Sequence, residues 1–241
     1  MTSAINGKSV VVLGGTSGIG LATAQAAAAR GAIVTVTSRS RERTQRAVQA
    51  IGADANGEVA NLTSEDETKA LFERCRDFDH LVYTAGDELL LSPIGELDIA
   101  TAKRAFDVRV FGALTAVKHA APRMRKNGSI VLTHGIAGAR PQSGWSVGAS
   151  ICGALEAMTR ALAVELAPLR VNAVSPGIVR TPLWSPIPEV EREGMFRAVG
   201  EKLLTGRIGE PADIAHAYIH FMENGFASGQ TLIIDGGGVL V

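Results

Sequence analysis

The chain has 241 residues, 46% hydrophobic and 20% charged, enough apolar surface for one large core and too little charge bias for a disordered segment. Its 24 basic and 24 acidic side chains cancel, which removes the positive field that nucleic acid or an anionic membrane would require. Residues 1–8 lack the basic start and apolar run of a secretory leader, and no apolar stretch approaches the roughly 20 residues that span a bilayer; a cytoplasmic protein is expected.

The elements alternate along the chain. A strand at 9–13 runs into a glycine cluster, followed by an alanine-rich helix at 21–30 closed by Gly31. A β-branched strand at 32–37, a helix at 40–51, a short strand at 58–62 and a helix at 64–75 with an acidic first turn come next. The alternation continues with a strand at 81–84, a helix at 101–125, a strand at 129–133, a helix at 148–166 and a strand at 171–175. It ends with a helix at 211–222 and a strand at 231–234. Strands alternating with helices of this length predict a single α/β domain over 1–241, a doubly wound parallel sheet of Rossmann type with helices on both faces. The ligand crevice then lies outside the carboxyl ends of the strands, where the strand order reverses. Residues 184–204, fronted by Pro186 and Pro188, have no strand pattern and are expected to form a mobile lid over that crevice.

After the first strand comes Gly14-Gly15-Thr16-Ser17-Gly18-Ile19-Gly20. Glycines at 14, 18 and 20 allow a tight turn and close backbone approach, and the helix N-terminus that follows offers free amides to a pyrophosphate. The second strand ends in Ser38-Arg39 with no acidic side chain to hold a ribose 2′-hydroxyl, which favours the 2′-phosphate of NADP over NAD. Arg41 and Arg43 add charge nearby. Cys75 and Cys152 match neither a disulfide framework nor a metal-ligand spacing and are expected to be inert. The histidines at 119, 216 and 220 share no ligand geometry either, so no metal is expected.

This glycine pattern and strand end resemble the short-chain dehydrogenase/reductase family, and the resemblance covers nearly the whole chain. Asn61-Leu62 is similar to the family's Asp and aliphatic residue at the adenine ring, and Tyr83-Thr84-Ala85-Gly86 to its Asn-Asn-Ala-Gly. The run from Arg170 to Pro182 is similar to the family's sixth strand and Pro-Gly turn at Pro176-Gly177, which implies that Ile178 faces the nicotinamide carboxamide and Thr181 the pyrophosphate. Gly229 to Gly237 closes the sheet in the family manner. The implied cofactor set is therefore Gly14, Thr16, Ser17, Gly18, Ile19, Gly20, Ser38, Arg39, Asn61, Leu62, Ala85, Gly86, Pro176, Gly177, Ile178 and Thr181.

Departures from the family fall on its catalytic residues. Its Tyr-x-Ala-Ser-Lys reads here as Val147-Gly148-Ala149-Ser150-Ile151, without Tyr or Lys, and the asparagine of its water relay falls on Arg109. Its serine falls on Gly135 when counted from Ile130 and on His134 when counted back from the Tyr position. His134 is the candidate general acid, because an imidazole titrates near neutrality and the strand end would aim it at the nicotinamide. Ser146, and beside it Ser143, are candidate hydrogen-bond donors to substrate. Trp145 could stack on a flat substrate. Arg109 could clamp a substrate carboxylate or pair with Asp107 or Asp87.

Two functions remain open at this point: an NADP-dependent oxidoreductase acting by a non-standard route on a small carbonyl, imine or enone, and a catalytically inactive nucleotide-binding sensor or assembly partner. The family resemblance also implies a homodimer or homotetramer, paired through the helices at 101–125 and 148–166.

Overall fold

The computed structural model describes residues 4–86 and 89–241. Seven strands form one parallel sheet in the order β3-β2-β1-β4-β5-β6-β7. They are β1 (Ser9–Leu13), β2 (Ile33–Ser38), β3 (Asn56–Val59), β4 (Phe78–Tyr83), β5 (Met124–Thr133), β6 (Arg170–Pro176) and β7 (Thr231–Ile234). The order reverses between β1 and β4, which places the crevice at the exits of those two strands.

Successive side chains of a strand point to opposite faces, and the core divides accordingly. Val10 and Val12 of β1 pack with α1 (Gly18–Ala28), α2 (Arg41–Ile51) and α8 (Pro211–Glu223). Val11 and Leu13 pack with α3 (Glu65–Arg74), α5 (Gly112–Ala120) and α6 (Ser146–Glu165). The α/β doubly wound fold is thus as expected. α6 is long and apolar enough, by length and composition, to cross a bilayer, which corrects the expectation that no segment is. Its Val147, Ile151, Cys152, Leu155, Thr159 and Leu162 are nevertheless buried against the rest of the protein.

Several boundaries differ from the sequence expectation, among them the starts of α1 at Gly18 and of β4 at Phe78, each three residues early. β3 ends at Val59, so Asn61 and Leu62 follow it rather than belong to it. The helix expected at 101–125 is α4 (Ile99–Phe106), a π-helical turn over Asp107–Phe111, and then α5, and β5 already begins at Met124. The segment at 184–204 contains a helix, α7 (Glu189–Gly200). A small apolar cluster fixes α7: Trp184, Phe196 and Ile208 are buried together, with the Trp184 ring edge-on to Phe196. The Arg180 guanidinium lies 4.7 Å over the Phe196 ring and pairs with Glu193 and Glu210.

At the opposite end of β4, His80 is 5% exposed and its Nδ1 lies 2.8 Å from Ser129 Oγ. Burial pulls its imidazole down to about 4, against the neighbouring Asp79. Between that value and the unfolded value near 6.5 the unfolded chain binds a proton that the folded chain refuses. Stability is therefore complete above about pH 6.5 and falls by up to about 3 kcal/mol on acidification through 4. Urea unfolding of the protein and of His80→Asn at pH 7 and pH 4.5 checks this: the substitution should flatten the pH dependence.

Candidate functional site

The crevice is built from glycines. Gly14 leaves β1 with φ +81, and a Cβ there would lie 2.7 Å from the Ala85 backbone, so the exits of β1 and β4 touch. Thr84 Oγ1 reinforces the contact by donating to Leu13 O at 2.9 Å. Inside α1, a Cβ on Gly20 would meet Gly14 O and Thr84 Oγ1, each at 2.4 Å. Gly18, with φ +50, faces Thr181 at 3.2 Å. Gly14, Gly18, Gly20, Ala85 and Thr181 thus meet in one place, with Thr16 and Ser17 on the loop and Ile19 in the first turn of α1. Ser17 makes no side-chain cap and the first turn of α1 carries no acidic residue, which leaves its positive end for an anion. Pro176, Gly177 and Ile178 lead from β6 to Thr181, and a Cβ on Gly177 would lie 2.8 Å from Asp235 Cα, where no side chain fits.

At the end of β2, Ser38 Oγ accepts the Ser40 N–H at 3.0 Å, and Arg39 is exposed beyond it. Arg41 and Arg43, in the first turn of α2, are exposed as well. Asn61 Oδ1 accepts the N–H and hydroxyl of Thr63, and the Asn61 N–H donates to Glu67. Leu62 is 7% exposed within the core, so it can offer the crevice only its backbone.

The residues read as the family's Tyr and Lys positions require a correction. Val147 and Ile151 are core side chains. One residue further on, a Cβ on Gly148 would meet nothing within 4 Å among the described residues, while the Cys152 sulfur lies 3.8 Å from the Cβ position of Gly135. The pair four residues apart that faces open space and the loop after β5 is therefore Gly148 and Cys152.

His134 does not join the glycine cradle. Its Nδ1 lies 3.1 Å from Gly135 O, and its ring lines a side cavity of about 230 Å³ with Cys152, Glu156, Ser175, Thr231 and Ile233. Burial pushes its imidazole down, against the Gly135 carbonyl and the charge of Glu156. Cys152, expected to be inert, is a wall of this cavity; burial pushes its thiol up. Ser146 and Ser143 are exposed, and the Ser146 carbonyl accepts Ser150 Oγ. Trp145 is partly buried at the start of α6.

Arg109 sits on the π-helical turn, a feature that a continuous helical pattern conceals. The buried Tyr83 hydroxyl donates to Val108 O within that turn, and Gly112 leaves room for it, since a Cβ there would lie 2.6 Å from the Tyr83 oxygen. The turn carries the Arg109 guanidinium to within 2.9 Å of the Cβ position of Gly86. Asp87, its other suggested partner, lies outside the described residues. No group of three metal-ligating side chains occurs among the described residues.

Such a sheet with such a cradle defines a dinucleotide-binding protein of Rossmann type. A family model described as Enoyl-(Acyl carrier protein) reductase matches residues 14–238. Short-chain dehydrogenase/reductase ATR9 of Stachybotrys chlorohalonatus is 35% identical, with 98% of this chain and 98% of that protein covered. A small-chain dehydrogenase solved in complex with NADPH superposes with TM-score 0.87 at 34% identity, covering 98% of this chain and 100% of that one. The MalC Reductase/Diels-Alderase of Malbranchea aurantiaca superposes with TM-score 0.92 at 30% identity, over 100% and 99%. The chain belongs to the short-chain dehydrogenase/reductase family.

Proposed function

We propose that the protein is an NADPH-dependent reductase that transfers hydride to a carbon needing no enzyme-supplied proton, an iminium before a ketone or enone. When bound, the nicotinamide supplies the hydride. The glycine loop and Thr181 hold the pyrophosphate, Ser38 and Arg39 take the 2′-phosphate, Asn61 and the Leu62 backbone border the adenine, and Ala85, Gly86 and Ile178 position the ring. The observation that carries the proposal is a contrast: a cradle closed to a Cβ at Gly14 and Gly20, beside a helix start with Gly148 at the Tyr position and Cys152, a wall of the side cavity, at the Lys position. Moving the Tyr position to Gly148 also moves the serine position from His134 to Gly135, where the count from Ile130 already places it. Neither Gly135 nor Gly148 can move a proton, and His134 faces the side cavity. Binding is thus retained where the family's proton path is absent. The NADPH complex and the reductase among the similar structures support this reading.

The 184–204 segment, with α7, would close over substrate, and pairing of copies through α4, α5 and α6 would form a cytoplasmic homodimer or homotetramer. The test is a fluorescence titration with NADPH and with NADH, then NADPH consumption with cyclic iminium, ketone and enone substrates. Tighter NADPH binding with turnover of the iminium is the expected result. Binding without turnover of any of the three would instead favour a nucleotide-binding sensor or assembly partner.

A further inference from the structure

The side cavity between α6 and the β6–β7 edge shares no residue with the glycine cradle and meets the crevice only at Gly135 and Cys152, the serine and Lys positions of the proposed function. Its chemistry is one-sided. His134 Nδ1 faces a carbonyl, so in the neutral ring that nitrogen carries the hydrogen and Nε2 presents a lone pair. Nε2 is buried and has no hydrogen-bond partner among the described residues. A buried acceptor left in this state is costly, and native structures rarely keep one without a ligand or water to fill it. Glu156, one helical turn beyond Cys152, adds a carboxylate to the same wall. Arg160 engages Oε1 of that carboxylate from outside at 2.8 Å, and Oε2 takes no hydrogen bond among the described residues. Among the described residues no lysine or arginine lines the cavity, whereas Ser175 and Thr231 offer hydroxyls and Ala139 and Ile233 apolar surface. At about 230 Å³ the space exceeds that of a single bridging water.

We propose that this cavity is a binding site for a small organic ammonium, whose N–H groups donate to His134 Nε2 and Glu156 while its carbon skeleton lies against Ala139 and Ile233. A cation is favoured over an anion because, among the described residues, the lining carries the Glu156 carboxylate, whose Oε2 Arg160 leaves open, and no lysine or arginine, and over a neutral alcohol because hydrogen bonds to a charged partner are roughly twice as strong. Gly135 borders the cavity on one side and lies at the exit of β5 on the other, so occupancy would be felt at the crevice.

The experiment is a titration of the full chain, without nucleotide, with pyrrolidinium chloride and with cyclopentanol, a neutral ring of similar size. Two signals are followed: the melting temperature and the imidazole nitrogen resonances of His134. Saturable stabilisation by pyrrolidinium, with a shift of the Nε2 resonance and little response to cyclopentanol, is the expected result. Glu156→Gln should weaken pyrrolidinium binding by at least about tenfold and leave NADPH affinity at the wild-type value, which certifies the fold of the variant. His134→Phe should abolish the response. The proposal is overturned if cyclopentanol and pyrrolidinium act alike, if Glu156→Gln responds as the wild type does, or if no saturation occurs, which would leave a solvent-filled cavity only. Because nucleotide is absent from the titration, its failure leaves the reductase proposal standing.

Discussion

Gly14→Ala is expected to lower NADPH affinity by about 100-fold or more and to depress the melting temperature. Two costs combine at this position. The residue has φ +81, where a non-glycine side chain costs roughly 1–2 kcal/mol. The new methyl would also lie 2.7 Å from the Ala85 Cα and N and 2.9 Å from the Thr84 carbonyl carbon. These are backbone atoms of β4's exit and cannot turn aside as a side chain would, so the exits of β1 and β4 must separate at the place where the pyrophosphate would lie. Each 1.4 kcal/mol lost is a factor of ten in affinity. Gly7→Ala is the control, since Gly7 has φ +70 but open space around its Cβ position. It should cost stability by strain alone and leave NADPH binding intact. Equal NADPH affinities for Gly14→Ala and the wild type would show that the cradle does not hold the nucleotide.

The strands and the glycine loop are legible in the sequence because both rest on local chemistry: β-branched runs buried on two faces, and positive φ values that glycine alone takes easily. The catalytic corner is less legible because its meaning turns on single-residue counts. On a helix, one residue rotates a side chain by about 100°, so counting the Tyr position at Val147 instead of Gly148 exchanges a core residue for one facing open space. At a strand end one residue reverses the side-chain direction, so His134 turns its ring into the side cavity while Gly135, on the border of that cavity, stands at the serine position. The start of β5 is hidden for another reason. Residues 125–127 are exposed and polar, with Asn127 at φ 67, and carry no alternation to mark a strand. α7 is held by tertiary contacts of Trp184, Phe196 and Arg180, which no local propensity announces.

Ser38→Asp should reverse the nucleotide preference. Ser38 closes β2 with its hydroxyl accepting the Ser40 N–H, and a carboxylate can accept the same bond without disturbing the N-cap that Ser40 provides to α2. An aspartate at this strand end would accept hydrogen bonds from the ribose hydroxyls of NADH and repel the 2′-phosphate of NADPH. The two effects act in opposite directions on the two nucleotides, so their ratio should swing by about 100-fold, or roughly 3 kcal/mol. Arg39→Ala removes attraction without adding repulsion. It should weaken NADPH by about tenfold, leave NADH nearly unchanged and lessen the salt dependence of NADPH binding, because an exposed cation acts through a screened field. Fluorescence titrations of both variants with both nucleotides, at low and high salt, separate the contributions. If Ser38→Asp kept the wild-type preference, the 2′ end of the nucleotide would have to lie away from the β2 exit, and Arg41 and Arg43 would become the next positions to substitute.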